Sequence, residues 1–172
     1  LGVLVLGLAA TSLALTGLPS QPTEEQEWRQ FRGPGARGVA ADPSLPASWS
    51  TSENVVWTAP VPGMGWSSPI VTAELIVVTS VVRSEPGEEP RPGLYFGGER
   101  PAPSDLHRWV VYAYDVDTGE LCWETELHRG VPAMPRHLKN SYASETPVTD
   151  GKRIFVYFGN VGLFALDLQG SL

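Results

Sequence analysis

The sequence predicts an all-β protein, and three observations lead to this class. Its 172 residues include 18 glycines and 16 prolines, about a fifth of the chain against an average of about 12%, so turns are frequent. Short runs rich in β-branched and aromatic residues follow one another between these turns. After the apolar N-terminal stretch, no segment shows the 3.6-residue period of an amphipathic helix.

Charge and cysteine content exclude several classes of function. The net charge is -7 and the isoelectric point is near 4.9, so the chain repels phosphate backbones and nucleic acid is not expected as a partner. The single cysteine, Cys122, excludes an intrachain disulfide and a zinc ribbon. Because Cys122 lies beside Trp123 in a β-type run, we expect a buried core thiol.

The N-terminal region predicts export. An uncharged apolar run extends over residues 1–18, and the first charges are Glu24 and Glu25. Residues 1–20 therefore read as an export signal without its basic start, cleaved near Leu18-Pro19-Ser20. The alternative is an uncleaved anchor, since roughly 18 to 20 apolar residues span a bilayer; no other membrane span is expected. We expect a location in the bacterial periplasm or cell envelope.

The rest of the chain divides into an irregular arm and a series of short strands. Residues 21–53 are rich in Gly, Pro, Ser and Ala and show no sustained period. Eight β-type runs follow, each bounded by turn residues: 54–58, 68–71, 75–79, 109–114, 121–125, 146–148, 153–157 and 162–166.

These runs form a repeat. Residues 69–70 and 76–78 align with 147–148 and 154–156 at an offset of 78, whereas 111–115 align with 163–167 at an offset of 52. The difference of 26 residues corresponds to a Pro- and Glu-rich loop insertion, residues 83–108. A second long connection, the crossover of residues 127–144, joins the two units.

Four short antiparallel strands per repeat are typical of the blades of a β-propeller. Residues 66–127 form the first predicted blade and residues 142–172 an incomplete second, about 1.7 blades in all. Residues 54–58 are predicted as a closing strand that pairs with a last blade beyond Leu172. We therefore expect the sequence to be part of a longer chain.

One turn carries a specific resemblance. Residues 113–123 read A-x-D-x-x-T-G-x-x-x-W, and this pattern resembles the tryptophan-docking signature of the PQQ-like (pyrroloquinoline quinone repeat) β-propellers. Its five fixed positions are Ala113, Asp115, Thr118, Gly119 and Trp123. The second unit keeps Ala165 and Asp167 but has a turn one residue shorter. The arm from Trp28 and the phrase Gly-Trp-Ser-Ser-Pro at residues 65–69 are also similar to envelope members.

The resemblance implies two alternative functions. Some members are quinoprotein dehydrogenases, which hold PQQ and calcium on the propeller axis beside an acidic base, and others are scaffolds of outer-membrane assembly. No residue here matches a quinone- or calcium-binding position, so we expect a binding or assembly scaffold without a cofactor. The alternative is a PQQ-dependent oxidoreductase whose active site lies largely outside this sequence. Neither catalytic residues nor metal ligands are assigned.

One surface is predicted to bind. In an antiparallel blade the insertion and the crossover emerge on the same face of the ring, and all three histidines are expected on these loops. Residues 127–144 contain three basic residues and no acidic ones. A carboxylate, a phosphate or an acidic segment of an envelope partner is thus expected to bind there, unless the crossover is only solvated. The candidate residues are His128, Arg129, Arg136, His137 and Lys139.

Overall fold

The computed structural model describes residues 27–40, 45–87, 89, 93–94 and 100–172. The predicted export signal or anchor, residues 1–20, lies outside this part of the chain. Within the described residues, no helix has the length and apolar character required to cross a bilayer.

In the part of the chain that the structure describes, seven strands form two antiparallel sheets, which confirms the all-β class. The first sheet has four strands in sequential order and the second has three. The strands are β1 (Ile70–Val71), β2 (Leu75–Arg83), β3 (His107–Asp115), β4 (Leu121–Gly130), β5 (Val148–Thr149), β6 (Arg153–Phe158) and β7 (Gly162–Asp167). Each corresponds to one of the runs predicted after residue 67, in the predicted order. A short 3-10 turn at Pro34–Ala36 is the helical element of the described residues.

Alternation along the central strands buries one face of the first sheet against the second. In β2 and β3, Val77 pairs with Ala113 and Val81 with Trp109, and all four side chains belong to the shared core. The second sheet contributes the apolar side chains of β6 and β7 to this core, with Ala143 joining from the crossover: Ile154, Val156, Phe158 and Leu166. Burial of these side chains is the main force that holds the sheets together.

The opposite face of the first sheet is covered by the chain that precedes β1. Tyr112 and Tyr114 project from β3 into a second cluster, and the Tyr114 hydroxyl donates to the Pro60 carbonyl at 2.8 Å. The Ser80 hydroxyl donates to the Pro62 carbonyl at 2.6 Å. Residues 54–58 form no strand with the described chain; since their predicted partner lies beyond Leu172, the closing strand stays a prediction.

The strands of the first sheet extend beyond their predicted ends. Arg83, the last residue of β2, pairs with His107, the first residue of β3, so the insertion covers residues 84–106. The β3–β4 ladder continues to the pair of His107 with Gly130. Placing His107, His128 and Arg129 on loops was therefore wrong, because cross-strand pairing keeps these polar residues in the sheet.

Cys122 is exposed, so the expected core thiol is also wrong. Ala113 pairs with Trp123 and Tyr114 pairs with Leu121. Cys122 is thus the extra residue of a β-bulge in the edge strand β4, and a bulge reorients the side chain that it carries.

Trp123 joins the two sheets. Its indole nitrogen donates to the Leu168 carbonyl in the turn that follows β7, at 3.0 Å, and its ring lies against Gly170. A Cβ at Gly170 would approach the ring to 2.7 Å, and the φ of Gly170 is +83°. Only glycine therefore fits at position 170, because the indole ring is close and because the backbone is left-handed.

Trp57 makes the same contact one unit earlier. Its indole nitrogen donates to the Val116 carbonyl at 3.1 Å, and a Cβ at Gly119, where φ is +72°, would lie 2.4 Å from the ring. Val116 and Leu168 each follow the aspartate that begins their turn. In both contacts, therefore, an indole nitrogen donates to the carbonyl at the same position of the turn. The Asp115 carboxylate accepts bonds from the Thr118 amide and hydroxyl at 2.8 and 2.9 Å, which lowers its pKa.

We expect Gly170→Ala to destabilise the full-length protein more than Gly151→Ala. The two glycines have nearly the same φ, +83° and +84°, but the group nearest a Cβ at Gly151 is the flexible end of Arg29. The shared backbone strain cancels in the comparison, and displacement of the Trp123 ring adds about 1–3 kcal/mol at Gly170. Urea unfolding followed by tryptophan fluorescence measures both variants. Equal losses of stability would show that the indole contact contributes nothing.

Candidate functional site

A cavity of about 280 Å³ lies where the end of the insertion meets the crossover. Both long connections therefore contribute to one concave surface. The described residues that line it include three arginines, one aspartate, one histidine, one serine and one tyrosine: Arg83, Arg100, Arg136, Asp105, His107, Ser104 and Tyr142.

The ends of two paired strands fix one side of the cavity. Arg83 ends β2 opposite His107, and its guanidinium donates to both carboxylate oxygens of Asp105 at 3.2 Å. Burial alone would raise the pKa of Asp105, but the bond from Arg83 and the neighbouring positive charges lower it below its usual value. Asp105 is therefore an ionised group whose two hydrogen bonds hold the Arg83 guanidinium in one orientation.

The crossover supplies the other side. The Arg136 guanidinium donates to the Asn140 carbonyl at 2.8 Å, and the Tyr142 hydroxyl donates to the Met134 carbonyl at 2.6 Å. Burial lowers the pKa of Arg136, and the charges of Arg100 and Arg83 act in the same direction. A guanidinium nevertheless remains charged at neutral pH, so these arginines form one cationic group.

A cluster of aromatic rings packs behind the cavity, and His107 and Tyr142 belong both to this cluster and to the cavity lining. His107 is 2% exposed, and its Nδ1 lies 3.0 Å from the Asp105 carbonyl oxygen. The His107 and Tyr142 rings meet edge to face at 5.5 Å, and the Trp109 and His128 rings lie 5.0 Å apart. Among the described residues no acceptor pairs with the buried Trp109 Nε1.

The five predicted ligand-binding residues do not gather in this cavity. Arg136 lines it, whereas His128 and Arg129 lie exposed on β4. His137 and Lys139 are exposed on the crossover, where the Lys139 amide contacts His137 Nδ1 at 3.2 Å. Local charge in the sequence does not identify Arg83 or Arg100, because both lie close to acidic residues, and it does not identify Asp105 or Tyr142. Binding by all five stays a prediction.

Arg129 belongs to a charge network on the surface of the first sheet. Its guanidinium donates to both Glu126 carboxylate oxygens at 2.7 and 2.8 Å, and Arg108 donates to Glu126 at 2.6 Å. Hydrogen bonds from Arg129 and then from Arg108 lower the pKa of Glu126 to about 2. Arg129, which the sequence placed in the basic crossover, is thus paired with a carboxylate of its own strand, β4.

The described residues contain no group of three or more His, Cys, Asp or Glu side chains arranged to hold a metal ion. No family model matches the chain, and the search of the curated proteins found no match. The site is therefore interpreted from its own geometry.

Glu126→Gln is expected to reduce the acid sensitivity of the full-length protein. The folded-state pKa of Glu126, about 2, lies below its ordinary value of 4.5, so its stabilising effect is present above about pH 4.5 and is lost as the pH falls towards 2. Surface pairs contribute about 0.2–1 kcal/mol each. Urea midpoints between pH 6 and 2.5 should fall less in this variant. Glu120→Gln, at an exposed turn position, is the control. If the urea midpoint depends on pH equally in both variants, the charge network does not contribute to acid sensitivity.

Proposed function

We propose that the chain is part of a PQQ-like β-propeller that acts as a binding or assembly scaffold in the bacterial cell envelope. The observation that carries this proposal is the repeated docking of an indole on a glycine. In the contacts of Trp57 with Gly119 and of Trp123 with Gly170 the acceptor position is the same, and a Cβ on either glycine would meet Cδ2 and Cε3 of the indole. Contacts that repeat between successive units are expected in an array of similar blades.

The topology supports the same proposal. Each sheet presents its strands in sequential order with antiparallel neighbours, and β7 is an edge strand of the second sheet, where Leu163 is 70% exposed. A fourth strand beside β7 would bring the second sheet to the size of the first. Propellers reduce exposed sheet edges by this radial repetition of four-stranded blades.

The loop face, the surface that the insertion (residues 84–106) and the crossover form around the cavity, favours binding rather than catalysis. Its guanidinium groups are oriented by a carboxylate at Asp105 and by a backbone carbonyl at Asn140. Oriented N–H forks are suited to recognition of carboxylates and phosphates. The insertion starts and ends on a closed pair of strands, so the loop face can vary without loss of the blade.

A loop replacement tests the scaffold role. The Ser84 amide donates to the Leu106 carbonyl at 2.9 Å, so residues 85–105 can be replaced by an Asn-Gly turn that closes the hairpin. We expect the loop variant to keep a native circular dichroism spectrum. In cells, the amount of envelope protein that cross-links to the full-length chain should be about tenfold or more lower for this variant than for wild type. Lys152→Gln, in the β5–β6 turn, is the control. Unchanged cross-linking in the loop variant would contradict the proposal.

Cofactor and location assays test the competing class. We expect no dye-linked dehydrogenase activity and no quinone absorbance band when the purified full-length protein is mixed with PQQ and calcium. We expect its recovery in the periplasmic or envelope fraction. Turnover with PQQ would favour the oxidoreductase, and recovery in the cytoplasm with residues 1–18 intact would contradict export.

A further inference from the structure

Residues 27–38 of the arm form a strap across the first strands of the two sheets. β1 and β5 are end strands of their sheets. Trp28 exchanges two backbone hydrogen bonds of 2.9 Å with Val71 of β1. The next residue, Arg29, accepts a bond of 3.0 Å at its carbonyl from the Thr149 amide of β5. Two consecutive residues of the strap therefore occupy the edges of both first strands.

A buried carboxylate holds the start of the strap. Glu27 is 8% exposed, and its Oε1 accepts a bond of 2.9 Å from the Ala73 amide in the turn between β1 and β2. Its other carboxylate oxygen pairs with the Arg29 guanidinium. The amides of Val71, Ala73 and Thr149 thus all donate their hydrogen bonds to the strap.

The strap also has a fold of its own. The Trp28 ring lies against Gly33, where φ is +63° and a Cβ would overlap the ring. The Gly33 amide donates to the Gln30 carbonyl at 2.9 Å, and the Gly38 amide donates to the Arg32 carbonyl at 2.7 Å. These contacts lie within the strap, so they do not depend on its attachment to the sheets.

Little apolar burial holds the strap to the sheets. Among the described residues, no member of the strap belongs to either apolar cluster, and Phe31 is 53% exposed. Segments with few buried apolar contacts open at a lower free energy than the core. The strap can therefore leave the two strand edges while the sheets stay folded.

The strap lies on one particular side of the two units. Because Trp28 and Arg29 are consecutive, the two strand edges that they bond lie within about 15 Å of each other. The blades of a propeller surround a central channel, and neighbouring blades converge at the strands that line it. In the proposed propeller, the strap is therefore on the channel side of the first two units.

We infer that the edges of β1 and β5 form a binding site for an extended peptide segment, and that the strap occupies this site until such a segment displaces it. The groups that displacement releases are backbone N–H and C=O groups, which an added extended segment recognises. The inference rests on the proposed function, because it names the class of partner that the scaffold binds.

Hydrogen exchange of the full-length protein tests the displacement. We expect the amides of Val71, Ala73 and Thr149 to exchange about tenfold or more faster than the slowest amides of the β2–β3 ladder, because the strap opens without global unfolding. Exchange of these three amides only at the rate of the ladder would overturn the inference.

Two alanine variants connect this exchange to the strap. Gly33 and Gly35 have nearly the same φ, +63° and +60°, but the atom nearest a Cβ at Gly35 is in the flexible side chain of Arg37, 3.4 Å away. Since Gly33→Ala also displaces the Trp28 ring, the three amides should exchange about tenfold faster in Gly33→Ala than in Gly35→Ala, with the ladder rate unchanged. Equal exchange in the two variants would overturn the inference.

Glu27→Gln decides the outcome if Gly33→Ala does not fold. This variant keeps an oxygen acceptor for the Ala73 amide and removes the charge that pairs with Arg29. The three amides should then exchange about threefold or more faster than in wild type, whereas Glu120→Gln, at an exposed turn position, should leave them unchanged. Wild-type exchange in Glu27→Gln would overturn the inference.

A fluorescent peptide with the sequence of residues 27–38 tests the binding site directly. In wild type the tethered strap competes with the peptide at a high effective concentration, so the peptide should bind the full-length strap variant saturably and wild type about tenfold more weakly. Fluorescence anisotropy measures both, and a peptide of scrambled sequence is the control. Absence of saturable binding to the variant, or equal binding of the scrambled peptide, would overturn the inference.

The result is distinguishable from the test of the scaffold role. Strap opening and peptide binding without specific cross-linking to an envelope protein would remove the proposed function and leave the peptide site. Cross-linking that depends on the insertion, without local opening of the strap, would remove this inference alone.

Discussion

The close contact between an indole ring and a glycine determines how the two sheets of this protein are arranged. The apolar core between the sheets is non-directional, so it favours their association without fixing their relative position. The bond from the Trp123 indole to the Leu168 carbonyl supplies that direction. Position 170 requires a glycine, because its backbone is left-handed and any Cβ there would overlap the Trp123 ring.

The cavity depends on this arrangement through the strand ends. Arg83 and His107 are paired at the end of the β2–β3 ladder, and Tyr142 approaches from the crossover that leads to the second sheet. The arm adds a further connection, since the Trp28 amide donates to the Val71 carbonyl and the Thr149 amide donates to the Arg29 carbonyl. Side chains supported by strands and by packed rings are held more precisely than side chains of a free loop.

The sequence predicts strand order well and strand ends poorly, for a physical reason. Apolar alternation marks the middle of β2, β3 and β6, where burial dominates, but ladder ends contain polar residues that are stabilised by partners distant in sequence. Arg108, for example, is held by Glu126. Cys122 was misplaced because a bulge shifts one residue out of the pattern of the strand. Of the cavity residues, local charge identifies Arg136 but not Arg83 at the end of β2 or Arg100 in the insertion, because acidic residues lie close to both in the sequence.

The docking contacts also have a direction along the chain. Each indole precedes its seat: Trp57 bonds a carbonyl 59 residues later, and Trp123 bonds one 45 residues later. Synthesis delivers the N-terminal part first, so each ring emerges before the glycine turn that covers it. During this interval a large apolar surface stays open to other chains. Each newly completed turn removes that exposure from the unit before it, so the protein is protected from aggregation stepwise, from its N-terminal side onward.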